Sequence, residues 1–326
     1  MTNGEGEHRA GSEQAPVRQR WGRVWFGYRA NAMMLWVGRR ALWLGYFFVW
    51  WGALWFFVCA PGARRASVGY LDRVWGGRGR RGVLRRRWDT YRHLVTYGYL
   101  LLDRAVMLSG PGHGYEIVRE GMEQLHAAAE AAREEGLVVL TAHFGNAEAA
   151  MPLLAGKMGK VLRERAIHVV MWQDLGDATE RFHARTRRMM EGMEVISTTD
   201  PLRAGVKIMG ALRAGGVVGM RADRRLGGKT VVVELLGEKV ALPAGPFVAT
   251  ALTGAPVVSV YTCRLGYRRY ACLIGVGGGW RRYGEECGGS REERVERAAR
   301  DYARGLEEMI RKYPLQWGNF YDVWAG

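Results

Sequence analysis

The sequence predicts an α/β protein: a central mixed, mostly parallel sheet flanked by helices, with an N-terminal hydrophobic membrane helix ahead of it. Three observations carry this. Short apolar runs of buried-strand type alternate with helical stretches from about Arg85 onward. An uncharged, Trp-rich run from Ala41 to Ala60 stands apart from that alternation. The 326 residues, 48% apolar and 25% charged, suffice for a buried core, which excludes disordered, collagen-like and disulfide-knot classes.

Taken from the N-terminus, residues 1–20 read as a polar, aperiodic tail, and residues 21–84 as a membrane-associated helical region. At about 1.5 Å per residue, the Ala41–Ala60 run is just long enough for a hydrocarbon layer about 30 Å thick. Its Arg39/Arg40 and Arg64/Arg65 flanks and its Trp and Phe content fit a full span and a shallow or re-entrant insertion equally, with a buried core helix the remaining alternative. Net charge is +16, and residues 1–110 hold 18 Lys or Arg against 6 Asp or Glu. The basic stretch Gly76–Arg87 has little aromatic interleaving, so it reads as an anionic-lipid contact rather than a nucleic-acid surface.

Residues 85–326 form one continuous unit. A helix is expected over Gly121–Glu134, a strand over Leu137–Leu140, and a helix at about Thr179–Glu191. A strand at Glu194–Ser197, a helix at Pro201–Ala214 and a strand at Val217–Met220 follow. Strands at Thr230–Leu235 and Val257–Thr262, with helices at Pro243–Thr253 and Glu292–Lys312, complete the pattern. Functional loops then lie beyond strand C-terminal ends. Cys59, Cys263, Cys272 and Cys287 show neither C-x-x-C nor zinc-finger spacing, so reduced thiols, no metal and no cofactor are expected.

The strongest chemical signal is LVVLTAHFGNAE, with His143 before a turn and Glu148 after it. In one continuous helix this spacing would put the two side chains about 140° apart. The strand end near Thr141, the bend allowed by Gly145 and the N-cap Asn146 instead put Glu148 in a first helical turn, able to point back at His143. His143 then reads as a general base and Glu148 as the carboxylate that orients it. Asn146 is either a plain cap or a donor to a developing oxyanion. Asp223 reads as a residue holding a turn or an arginine, His126 and His168 as packing residues, and Trp317 and Trp324 as core or membrane-facing anchors.

HFGNAE after an apolar strand resembles the H-x-x-x-x-D/E motif of the bacterial lipid A biosynthesis (late) acyltransferases. The resemblance continues through Arg188 with MMEGMEVI, GVVGMRADRR (216–225), LGEKVALPAGPFVATALTGAPVVSVYTCR (236–264) and PLQWGNFYDVW (314–324). Departures fall at Met171–Asp174, where the family usually carries an arginine, and at Arg225 and Leu236. The resemblance implies transfer of a fatty acyl group from an acyl-carrier-protein or acyl-CoA thioester to a hydroxyl or amine of a lipid or glycolipid, at the cytoplasmic face of the bacterial inner membrane. It implies direct attack without an acyl-enzyme, with Asn146, Arg188, Arg221, Asp223 and Arg224 contributing to substrate binding. Arg181, Arg185, Arg187 and Arg188 form a basic cluster suited to an acidic carrier protein. Two other readings remain: a glycerol-phosphate or lysophospholipid acyltransferase, which uses a similar dyad, and a non-catalytic basic protein that binds anionic lipid or nucleic acid.

Overall fold

The computed structural model describes residues 36, 38–76, 82–109, 114–132, 135–149, 165–171, 192–225 and 228–324. The expected tail, the expected helix at 179–191, Arg188 and the rest of its basic cluster lie outside these residues.

Among the described residues, seven strands form one sheet in the order β1-β9-β8-β2-β5-β3-β4. They are β1 (Glu116–Glu120), β2 (Leu137–Thr141), β3 (Ile167–Met171), β4 (Met193–Ser197), β5 (Val217–Arg221), β8 (Val257–Gly266) and β9 (Arg269–Ile274). From β8 through β2, β5 and β3 to β4 every pairing is parallel. At the other edge β9 runs antiparallel to β8 and carries β1 parallel to itself. Strand β2 (LVVLT) lies inside the sheet and every residue of it is buried, which is why it reads as an uninterrupted apolar run. A separate antiparallel hairpin, β6 (Thr230–Leu235) and β7 (Glu238–Pro243), turns through Leu236 and Gly237, both at positive φ.

Helices cover the sheet: α4 (Met122–Ala132), α5 (Pro201–Arg213), α6 (Ala244–Thr253) and α7 (Arg291–Lys312). Asp200 caps α5, accepting from the Arg203 N–H at 3.1 Å, and Pro201 follows at the position where a missing N–H costs nothing. Ser290 and Glu293 cap α7 reciprocally, at 3.2 and 2.7 Å. These starts match the sequence expectations to within about a residue, because capping and apolar periodicity are local properties.

Ahead of the sheet stand α1 (Leu42–Cys59), α2 (Pro61–Val74) and α3 (Val83–Leu108). Helix α1 lies along α3, with Leu42 buried against Leu102 and Val106. A Cβ on Gly45 would come within 2.7 Å of Leu102 Cδ2, so a larger residue there would require Leu102 to shift. The outward face of α1 is aromatic and open: Trp43 is 66% exposed, Trp51 60% and Trp55 51%. A buried carboxylate ties this region to the sheet. Asp103 of α3 accepts hydrogen bonds from the hydroxyls of Tyr46 (2.6 Å), Tyr115 (2.8 Å) and Tyr270 (2.6 Å), and from Arg264 Nε at 3.3 Å. Four donors compensate the desolvation of a carboxylate that is otherwise costly to bury.

Candidate active site

The site begins where β2 ends. Thr141 of β2 pairs with Arg221 of β5, so the first residues beyond the two strands leave the sheet side by side. His143 comes from one and Asp223 from the other. The chain after β2 then turns sharply: Gly145 adopts φ +55°, and a Cβ there would lie 1.9 Å from the Thr262 carbonyl oxygen. No other residue satisfies both conditions, which accounts for the glycine between Phe144 and Asn146. A short helical segment starts at Ala147, as the turn predicts.

The C-terminal segment clamps this turn. Gly145 N–H donates to the Gln316 carbonyl at 2.8 Å, Gly318 N–H to the His143 carbonyl at 2.7 Å, and Asn146 N–H to the Thr262 carbonyl at 2.7 Å. Behind the clamp, His93 of α3 is fully buried, with Nε2 3.0 Å from the Trp317 carbonyl and Nδ1 2.8 Å from the Ser67 hydroxyl. Assigned from these partners, Nε2 carries the proton and Nδ1 accepts. Burial pushes the His93 pKa down to about 4, with the Trp317 carbonyl opposing.

The carboxylate on the His143 ring is Asp223. Its Oδ1 lies 2.8 Å from His143 Nδ1, and its Oδ2 accepts from the His143 backbone N–H at 3.0 Å and the Trp317 indole N–H at 2.9 Å. Burial alone raises the Asp223 pKa, but His143, Arg224 and the Trp317 donor outweigh it and hold the carboxyl ionised, well below the usual range. The His143 ring keeps 24% of its surface open. Burial lowers its pKa most, Asp223 opposes this, and Arg224 and Arg221 lower it further, to about 4. At neutral pH the ring is therefore uncharged, with Nδ1–H held by Asp223 and the Nε2 lone pair available as a base.

This corrects two expectations. Asp223 does more than hold a turn or an arginine, since it takes the orienting position expected of Glu148. Glu148 instead takes a hydrogen bond from Arg104 of α3 at 2.9 Å and lies 3.7 Å from Arg221. The Glu148 carboxylate thereby stabilises two cations beside the His143 ring, and burial works against the charge of Arg221.

Of the remaining expected residues, Asn146 is only 1% exposed; its Nδ2 contacts Met107 Sδ at 3.2 Å and its Oδ1 has no hydrogen-bond partner, so the side-chain cap is not made. Arg224 donates through Nε to Asn319 Oδ1 at 2.8 Å and also to the Gly318 carbonyl, which makes it a fastener of the C-terminal segment. Arg104 and the bond from Trp317 to Asp223 are not apparent from sequence order, because each depends on a contact between distant segments. The positions of His143 and Asp223, each just beyond a buried strand, are the one local signal.

A model of the family described as "Bacterial lipid A biosynthesis acyltransferase" matches residues 113–325. Comparison with curated proteins gives no significant match.

Proposed function

Because the chain belongs to the bacterial lipid A biosynthesis acyltransferase family and is an acyltransferase acting on lipid, we propose that His143, oriented by Asp223, is the general base that activates the acceptor. The observation that carries this is the 2.8 Å contact between His143 Nδ1 and Asp223 Oδ1 at adjoining strand ends. In the proposed step the acceptor O–H or N–H gives its proton to His143 Nε2 as its oxygen or nitrogen attacks the thioester carbonyl carbon. The C–S bond then breaks, and the departing thiolate takes the proton back from the imidazolium.

Asp223 stabilises the imidazolium formed on the way, and its two further donors keep it from rotating off the ring. Arg221, 21% exposed and held by Glu148, supplies positive charge for the developing oxyanion. This assignment replaces Asn146, whose side chain is turned into the protein. None of the cysteines is needed as a nucleophile; burial raises the thiol pKa values of Cys263 and Cys272, making both poor thiolates.

The donor is a fatty acyl thioester of acyl carrier protein or coenzyme A, and the acceptor a hydroxyl or amine of a lipid or glycolipid. The exposed aromatic face of α1 supports membrane docking with the helix lying in the interface along α3, at the cytoplasmic face of the inner membrane. The test is a thioester-consumption assay with both donors across a salt series, with mass spectrometry of the lipid product. Steered association with an acidic carrier protein weakens as salt rises, whereas turnover with acyl-CoA responds less. A wild-type enzyme whose His143→Ala variant turns over normally with either donor would refute the mechanism.

A further inference from the structure

A cavity of about 750 Å³ runs along α2 and the first turns of α3, apart from the His143 site. Five arginines line it, Arg64, Arg65, Arg73, Arg86 and Arg87, against two carboxylates, Asp72 and Asp322. Three of the arginines are held in place by the protein. Arg64 donates to the Phe57 carbonyl at 2.7 Å, Arg73 to the Gly69 carbonyl at 3.0 Å and to Glu238 at 2.9 Å, and Arg86 spans both Asp72 oxygens. Each guanidinium has five N–H donors, so these contacts leave donors over. Arg65 and Arg87 are exposed and have no partner among the described residues. Glu238 and Asp72 pair with two of the five cations, and Arg65 and Arg87 leave their charge open to an anion supplied from outside.

The surroundings specify what carries the anion. Phe57 of α1 forms part of the wall, and the exposed Val58, Val83, Leu84 and Trp88 belong to the same helices as the cavity. On the other side the wall is Phe320 and Tyr321, in the segment that begins with Trp317 on Asp223. The opening thus joins the apolar face of α1 to the strand of chain that braces the catalytic pair.

We propose that this cavity is a binding site for the phosphate group of a lipid headgroup. It rests on the reading of α1 as the membrane-lying helix, and it adds a recognition site to that reading. The phosphate belongs either to the acyl acceptor or to a neighbouring phospholipid.

The test uses the full-length protein and reads equilibrium binding, which needs no turnover and is therefore independent of the His143 mechanism. Binding is measured to phosphatidylglycerol vesicles and to phosphatidylcholine vesicles, and the ratio of the two affinities cancels insertion of α1. Arg65→Gln/Arg87→Gln removes two exposed cations that form no hydrogen bond or ion pair among the described residues. At about 1 kcal/mol for each basic residue near an anionic surface, that ratio should fall about thirtyfold. Arg213→Gln/Arg300→Gln, with the same change of charge elsewhere, should leave it nearly unchanged. Turnover in neutral detergent micelles then identifies the source. A rise in KM for a phosphorylated glycolipid acceptor, with kcat and the dephosphorylated acceptor unaffected, assigns the site to the acceptor. A lowered vesicle ratio with that KM unchanged assigns it to phospholipid. If both double variants lower the ratio equally, or the Arg65/Arg87 variant changes neither the ratio nor the KM, there is no phosphate site here.

Discussion

Asp223 Oδ1 lies 2.8 Å from His143 Nδ1, across two strands whose last residues, Thr141 and Arg221, are direct parallel partners. The pair is therefore positioned by sheet register, and its geometry inherits the rigidity of a fully buried β2.

Asp223→Asn should lower kcat by about 10²–10⁴ while far-UV circular dichroism stays unchanged, because the amide cannot stabilise an imidazolium. His143→Ala should cost a similar amount. The double variant should be little worse than either single one, since the two act as a unit. Strictly additive losses in kcat would contradict a shared role.

The acid limb of the kcat/KM profile should lie near the His143 pKa of about 4. The proposed base works only when neutral, so activity should be retained as pH falls through the ordinary histidine range and lost as it approaches 4. A limb centred near 6.5, measured in brief assays on folded protein, would show that burial and the two arginines do not govern this ring.

Glu148→Gln should reduce turnover less than His143→Ala does. Its carboxylate pairs with Arg104 and sits beside Arg221, so the variant disturbs the cation proposed to meet the oxyanion and leaves the His143–Asp223 bond in place. The profile of kcat against pH should keep its acid limb. An equal or larger loss would assign Glu148 a direct part in proton transfer.

Trp43→Ser/Trp51→Ser/Trp55→Ser should weaken binding to neutral phosphatidylcholine vesicles at least tenfold with no change in thermal midpoint, because these rings are open to solvent and make little of the core. Wild-type protein should stay on membranes in moderate salt. Release by salt alone would mean that charge, not insertion, holds it.

His93 makes stability depend on pH. Its folded pKa of about 4 lies below the ordinary 6.5, so between these values the unfolded chain binds more protons, and stability is lost as pH falls from 7 toward 4. The full effect is about 3 kcal/mol. Urea midpoints should fall over that window in the wild type and fall less in His93→Gln. Parallel slopes would remove His93 from the acid response.

The sequence by itself determined the parts of this protein that depend on near neighbours along the chain. The buried runs of β2 and β5, the capping of α5 and α7, the apolar length of α1 and the turn that requires Gly145 all follow from periodicity, caps and conformational freedom. It also identified His143 as the base candidate, since a histidine between a buried strand and a helix start is a local pattern. Of the two edge strands, β4 follows the expected Glu194–Ser197 run, but the sequence reading assigns no strand to β1, EIVRE, where charged residues interrupt the alternation at the sheet margin. What only the tertiary structure decided is which carboxylate serves His143. Glu148 is the nearer in sequence, yet Arg104 approaches it from α3, while β5 packs directly beside β2 and delivers Asp223. Strand order, helix docking and the clamp from Trp317 are long-range contacts, and a pattern of residue types along one chain carries no record of which distant segment comes to lie alongside.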